Sequence, residues 1–307
     1  MCANCGCQGD QASLLDLQTG EIMTVAALHQ RDSDANLSHA HNHVHGEHEH
    51  AYHDHGPYHD HGPYRDSTDR HVDSHQAKRS PGVNILDVET RILAKNDATA
   101  AQNRAWFTGR EILALNIVSS PGGGKTTLLE RTIRDLTGEL PLYVIEGDQA
   151  TANDGERIRR AGASVVQVNT GTGCHLDAEM VKRALPALKP VPGTVVLIEN
   201  VGNLICPALF DLGERAKVVI FSITEGEDKP LKYPQIFRAA AIVILNKIDL
   251  LPHLDFSLAQ AISNVEKINP DAPILQVSAR SGEGITDWYE WLRTQFAAAR
   301  QSAFSLI

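Results

Sequence analysis

From residue 112 onward, short apolar runs alternate with longer stretches of helical spacing. The apolar runs are Ile112–Val118, Leu142–Glu146, Ser164–Val168, Thr194–Glu199, Lys217–Thr224, Ala241–Asn246 and Pro273–Ser278. Polar or glycine residues bound most of them, the pattern of strands buried on both faces. Thr126–Leu136, Ala152–Ala161, Ala178–Leu188 and Leu254–Ile268 read as helices between them, and Thr286–Arg300 as a closing helix. Asp87–Ala105 reads as a leading helix with Val88, Ile92 and Leu93 on one face. Such alternation predicts an α/β fold, a mainly parallel sheet of about seven strands flanked by helices.

The first 80 residues have a different pattern. Leu14–Leu28 holds scattered apolar positions without a clear period and predicts little structure. His39–His75 is low-complexity and carries twelve of the 15 histidines. It includes a tandem copy, Tyr52–Pro57 followed by Tyr58–Pro63. Gly-Pro in each unit opposes both helix and central strand. So polar a stretch buries too little apolar surface to offset its ordering entropy and is expected to be disordered. The expected organisation is a head over residues 1–10, a linker with the His tract over 11–80, and one globular domain over 81–307. About 225 residues suffice for a full α/β core.

A net charge of −10 with neutral histidines lacks the basic footprint of a nucleic-acid binder. No apolar run approaches the ~20 residues needed to span a bilayer, so neither nucleic acid nor a membrane is an expected partner. Met1–Cys7 has neither the basic nor the apolar segment of a signal peptide, and a cytoplasmic location is the expectation. Three of the five cysteines lie within the first seven residues. Thiols so clustered in a reducing compartment point to metal ligation rather than to a disulfide framework.

The first strand of the domain runs into Ser119-Ser-Pro-Gly122-Gly123-Gly124-Lys125-Thr126-Thr127. This resembles a P-loop, with Ser119 in place of the first glycine. Glycines let backbone N–H groups face the phosphates, Lys125 neutralises the β/γ-phosphates, and the Thr126 hydroxyl reaches Mg²⁺. Asn246-Lys247-Ile248-Asp249 follows a later strand and resembles the guanine-reading motif of GTPases. There the carboxylate accepts from two donors that adenine does not present together. Ser278-Ala279-Arg280 resembles the backbone element that contacts the guanine O6. Glu199-Asn-Val-Gly202 stands where a γ-phosphate sensor belongs, with Glu199 toward Mg²⁺. Asp148 is a second carboxylate within reach of the cation, and Asp154 a weaker third. No glutamine stands where a water-positioning residue is expected, so intrinsic GTP hydrolysis should be slow.

Two clusters have metal-ligand chemistry. Cys2-x-x-Cys5-x-Cys7 supplies three thiolates beside the amino terminus. Thiolates plus the amine suit square-planar Ni²⁺, and a tetrahedral Zn²⁺ would accept the same donors. Cys174 and His175 follow one predicted strand and Cys206 follows another, at the sheet edge where α/β folds place their sites. Cys206 shares its loop with Glu199, so metal and nucleotide could be coupled. The imidazoles of the His tract suit storage or buffering of nickel or zinc.

The cysteine head, the His tract, the P-loop, Glu146-Gly-Asp148, Thr-Gly-x-x-Cys-His175, Glu199-Asn-Val-Gly-Asn-Leu-x-Cys-Pro207, Glu225-Gly-Glu-Asp-Lys-Pro-Leu-Lys-Tyr-Pro234 and Asn246-Lys-x-Asp249 together resemble the HypB family of hydrogenase nickel-incorporation GTPases. The resemblance implies a P-loop GTPase that uses GTP and Mg²⁺ while helping to load nickel into the large subunit of [NiFe] hydrogenase. It further implies a small zinc-containing maturation partner and a GTP- or metal-promoted homodimer. It implies Cys2, Cys5 and Cys7 as the high-affinity nickel set and Cys174, His175 and Cys206 as ligands of an inner site for Ni²⁺ or Zn²⁺. The alternatives are a nickel/zinc storage protein with accessory GTP binding and a urease-type nickel GTPase. The cysteine head argues against the latter.

Overall fold

The computed structural model describes residues 13–24, 85–149 and 153–304. The expectations for Cys2, Cys5, Cys7 and the His tract lie outside them. Strands β3 (Leu113–Ser119), β4 (Leu142–Asp148), β5 (Ser164–Asn169), β6 (Val195–Glu199), β7 (Ala216–Ser222), β8 (Ala240–Asn246) and β9 (Ile274–Val277) form the expected seven-stranded parallel sheet. Two more strands correct the reading of Leu14–Leu28 as unstructured, and with it the reading of 11–80 as linker throughout. Strands β1 (Ser13–Asp16) and β2 (Glu21–Thr24) form a hairpin, and β1 pairs antiparallel with β5. The order is β2-β1-β5-β4-β6-β3-β7-β8-β9.

The helices are α1 (Ile85–Thr108), α2 (Lys125–Leu136), α3 (Asn153–Ala161), α4 (Ala178–Leu188), the short α5 (Cys206–Leu209), α6 (Lys229–Lys232) and α7 (Pro234–Arg238), then α8 (Leu258–Ile268) and α9 (Ile285–Phe304). Side chains alternate across each strand, so the two faces build separate cores. Leu113, Leu115 and Ile117 of β3 pack with Leu129 of α2, Ile158 of α3 and Trp288 of α9. On the opposite face Ala114 joins Phe107 of α1 and Val181 and Leu185 of α4. Beyond them Phe221 and Leu245 pack with Phe237 of α7 and Val265 of α8.

Helix α1 buries Asn96, Ala100, Asn103 and Phe107, whereas Ile92 is exposed, contrary to the face expected for it. Two asparagines hold that side. Asn103 Nδ2 donates to the carbonyls of Ala178 and Leu212, while Asn96 Nδ2 donates to Asp211 O and its Oδ1 accepts from Ala178 N. Helix α8 begins four residues later than the sequence pattern suggests, because Ser257 caps it by accepting from Gln260 N. Among the described residues no helix is long and apolar enough to cross a membrane.

Candidate functional site

The P-loop leaves β3 at the sheet's topological switch point, since β4 lies to one side of β3 and β7 to the other. Gly122 and Gly124 adopt φ of 73° and 100°, which side chains disfavour. A Cβ on Gly124 would collide with the Asn246 amide. Ser119 is accommodated because Gly123 has no side chain, and a Cβ there would come within 2.8 Å of the Ser119 side chain. Ser119 Oγ then accepts from Lys125 Nζ at 3.1 Å, which holds the lysine over the loop. Thr126 Oγ1 donates to Glu199 Oε1 at 2.7 Å, so the proposed Mg²⁺-facing hydroxyl and carboxylate are brought together.

Glu199 is buried, and its Oε2 lacks a hydrogen-bond partner. Burial pushes its carboxyl up to about 7 against the pull of nearby Lys125. Glu146, its register partner on β4, is likewise buried with a lone Oε2. Burial, reinforced by Glu199, pushes that carboxyl up to about 9. The sequence reading passed over Glu146, although it stands two positions before Asp148 in the quoted Glu-Gly-Asp. Asp148 ends β4 half-exposed, and its carbonyl accepts from Thr170 N. Asp154 accepts from Arg157 Nη1 at 2.9 Å, and Arg157 also donates to Glu130 on α2.

The base motif is joined to the P-loop directly. Asn246 Nδ2 donates to Gly123 O at 2.9 Å, its Oδ1 accepts from Ala279 N at 3.1 Å, and Lys247 Nζ donates to Gly122 O. One buried amide thus ties three loops that are far apart in sequence. Asp249 is half-exposed, Ser278 and Ala279 are buried, and Arg280 is exposed.

The structure brings together the three residues expected to share an inner site, Cys174, His175 and Cys206. One donor atom each from Cys174, His175 and Cys206 lies within 4.8 Å of the others, and the two sulfurs are 3.2 Å apart. His175 is buried with its ring 4.0 Å from that of Phe210. Burial lowers its pKa, which favours the neutral imidazole that ligates metal. Two soft thiols and one imidazole fit Ni²⁺ or Zn²⁺ and leave the coordination open for further donors.

Two asparagines that the sequence reading did not single out bind the Cys174–His175 segment to the loop between Glu199 and Cys206. Asn200 Oδ1 accepts from Leu176 N at 3.0 Å, and its Nδ2 donates to Asn116 inside β3. Asn203 Nδ2 donates to Cys174 O at 3.2 Å. Glu199 and Asn200 are adjacent at the end of β6, so they point to opposite faces, one to the P-loop and the other to the metal loop. Their signal was the Glu-Asn-Val-Gly-Asn run itself, read only for its carboxylate.

The chain is similar to proteins of one family. Residues 113–276 match the model of the CobW/HypB/UreG nucleotide-binding domain. The hydrogenase maturation factor HypB of Rhizobium leguminosarum bv. viciae is 57% identical over 223 residues, covering 73% of this chain and 74% of the relative. That of Escherichia coli K12 is 52% identical over 222 residues, covering 71% and 77%. Among solved structures, HypB of Archaeoglobus fulgidus is 38% identical with a TM-score of 0.63, covering 66% of this chain and 99% of that one. HypB of Helicobacter pylori, crystallised in complex with nickel, is 36% identical with a TM-score of 0.63, covering 66% and 96%. A P-loop joined to a guanine-type base motif, a Cys-His-Cys cluster on the adjoining loops and these likenesses lead to one assignment: the chain belongs to the HypB family of hydrogenase maturation factors, a family of P-loop GTPases.

Proposed function

We propose that the protein hydrolyses GTP to drive delivery of nickel into the large subunit of [NiFe] hydrogenase. The observation that carries this reading is the short loop from Glu199 to Cys206. One end bonds the P-loop threonine and the other supplies a sulfur to the metal cluster.

Gly122, Gly123 and Gly124 present backbone N–H groups to the phosphates, and Lys125, Thr126 and Thr127 contact them. Asn246 holds the base loop against the P-loop, and Asp249 reads guanine with Lys247, Ser278, Ala279 and Arg280 around the ring. Thr126 and Glu199 would hold Mg²⁺, with Asp148 nearby. The unpartnered Glu199 Oε2 fits such a role, since a buried carboxylate oxygen requires a partner. Bound there, Mg²⁺ supplies charge neutralisation on the phosphates. Turnover is expected to be slow, since Asn203 rather than a water-orienting glutamine follows the Glu199-Asn-Val-Gly202 run.

Nickel is the cargo, and Zn²⁺ competes for the same donors. Cys174, His175 and Cys206 contribute three ligands per chain, and a second copy completes the coordination in a homodimer. Ile205, exposed and adjacent to Cys206, supports an apolar contact there. A small zinc-containing maturation protein and the hydrogenase large subunit are the proposed partners.

The test is nickel incorporation into a large-subunit precursor in a purified cytoplasmic fraction, comparing the parent chain with Lys125→Ala and Cys206→Ala. Both variants should fail to support incorporation, the first through lost GTP turnover and the second through lost metal handling. Normal incorporation with both would defeat the proposal.

A further inference from the structure

A cavity of about 260 Å³ opens at the amino ends of β3 and β7, the end of the sheet opposite to the P-loop and the Cys-His-Cys cluster. Phe107, Ile112 and Ala114 give it a buried apolar lining, and Arg104, Arg215 and Ser302 stand around it. Its volume lies just under the roughly 300 Å³ at which pockets for drug-sized ligands begin, so a small molecule is the fitting occupant.

The charged groups of the cavity are unequally committed. Glu214 lines it, but both its carboxyl oxygens are engaged. Oε1 accepts from Lys217 Nζ and from Asn116 Nδ2, and Oε2 accepts from Leu212 N. Arg104 donates to both carboxylate oxygens of Asp211. Arg215 differs. Among the described residues its guanidinium is bonded only to Ser302 Oγ, at 3.4 Å, a long and weak hydrogen bond. A guanidinium offers five donors in a planar fork that matches a carboxylate. Apolar lining beside such a fork is the chemistry that receives a small monocarboxylate with a short apolar chain.

The wall that carries Arg215 belongs to the same segment as the inner cluster. Residues 206–215 run from Cys206 at one end of the sheet to the cavity at the other, and Phe210 among them places its ring 4.0 Å from that of His175. Asn96 and Asn103 of α1 join the carbonyls of Asp211 and Leu212 to Ala178 at the start of α4. A Cβ on Gly213 would meet Ala100 O at 2.6 Å, so this stretch lies tight on α1. Glu214 begins a second connection. Its partner Asn116 accepts from Asn200 Nδ2, and Asn200 Oδ1 accepts from Leu176 N beside His175. These three side chains, Glu214, Asn116 and Asn200, are all buried.

We propose that the cavity binds a small monocarboxylate of the size of hexanoate, its carboxylate on Arg215 and its chain over Phe107, Ile112 and Ala114, and that occupancy tightens residues 206–215. The proposal needs neither GTP hydrolysis nor nickel, so it stands apart from the function proposed above.

The experiment titrates the full chain, free of metal and nucleotide, with hexanoate in a calorimeter. Hexanol and hexylammonium serve as neutral and cationic probes of the same length. Hexanoate should bind at one saturable site and the other two far more weakly. Arg215→Ala, at an exposed position, should weaken hexanoate binding by about tenfold or more, the loss expected for hydrogen bonds to a charged group. Ala299→Leu, which fills the cavity from α9, should abolish binding in a chain whose circular dichroism matches the parent. If that variant fails to fold, Arg215→Ala decides. Hydrogen exchange read by mass spectrometry gives the second measurement. Hexanoate should slow exchange in peptides over 206–215 and 174–178 and leave those over 258–268 unchanged. No saturable binding, equal binding of hexanol, undiminished binding by Arg215→Ala, or unaltered exchange over 206–215 overturns the proposal.

Discussion

Glu146 and Glu199 stand side by side as register partners on β4 and β6, each buried and each with one carboxylate oxygen lacking a hydrogen-bond partner. Residues paired in register point to the same face, so two acids share one desolvated spot beside Thr126. Burial holds both above the ordinary carboxylate range, at about 9 and about 7. In the metal-free protein these groups keep protons that the unfolded chain has already released. Stability is therefore full below the ordinary carboxylate pKa and falls as pH rises toward 9, because the folded state binds more protons across that window. Denaturant titrations of the Mg²⁺-free, nucleotide-free protein at pH 6 and pH 9 should show the lower midpoint at pH 9. Glu146→Gln should flatten the slope. A midpoint unchanged between the two pH values would contradict the buried-pair account.

Guanine selection is expected to depend on Asp249. Asp249→Asn places a donor where guanine also donates, so preference should move from GTP toward xanthosine triphosphate. Competition binding of the two nucleotides to parent and variant reads this directly. A parent chain that bound ATP as well as GTP would refute it.

Asn246→Ala leaves the carbonyl of Gly123 and the N–H of Ala279 without their partner. Orphaning such buried groups costs about 1–3 kcal/mol. Part of that cost should appear as a lower thermal midpoint and part as weaker GTP binding, together equivalent to roughly 5- to 150-fold in an equilibrium constant. Calorimetry of the free chain and nucleotide titration separate the two contributions.

Asn200 offers a test of coupling that removes no metal donor. If nucleotide state reaches the cluster through the Glu199–Cys206 loop, nickel affinity should differ between GDP and a non-hydrolysable GTP analogue by roughly 5- to 150-fold, and the metal must change nucleotide affinity by the same factor. Asn200→Ala, which releases Leu176 N from that loop, should bring the ratio toward unity while GTP still binds. Cys206→Ala should abolish it together with the site. Equal nickel affinity in both nucleotide states of the parent chain would leave the cluster a passive one.

The seven parallel strands, the P-loop and the base motif were legible from the amino-acid sequence, because each is local. A strand buried on both faces is a continuous apolar run, and a phosphate loop needs glycines at fixed spacing ahead of a lysine. The Cys-His-Cys set was legible as chemistry, since its residues follow strands whose ends must share one edge. Tertiary structure decided what depended on partners distant in sequence. The hairpin at Ser13–Thr24 escaped notice because two four-residue strands carry almost no periodic signal, and β1 owes its place to the open edge of β5. The seat of Ile92 was misjudged because α1 binds its neighbours through Asn96 and Asn103, and a pattern of apolar spacing cannot register a buried amide. Glu146 showed its character only when register set it against Glu199, since a carboxyl's desolvation is fixed by what packs around it. Asn200 likewise gained its role only when the fold carried the metal loop to the face that it occupies, opposite to the face of Glu199.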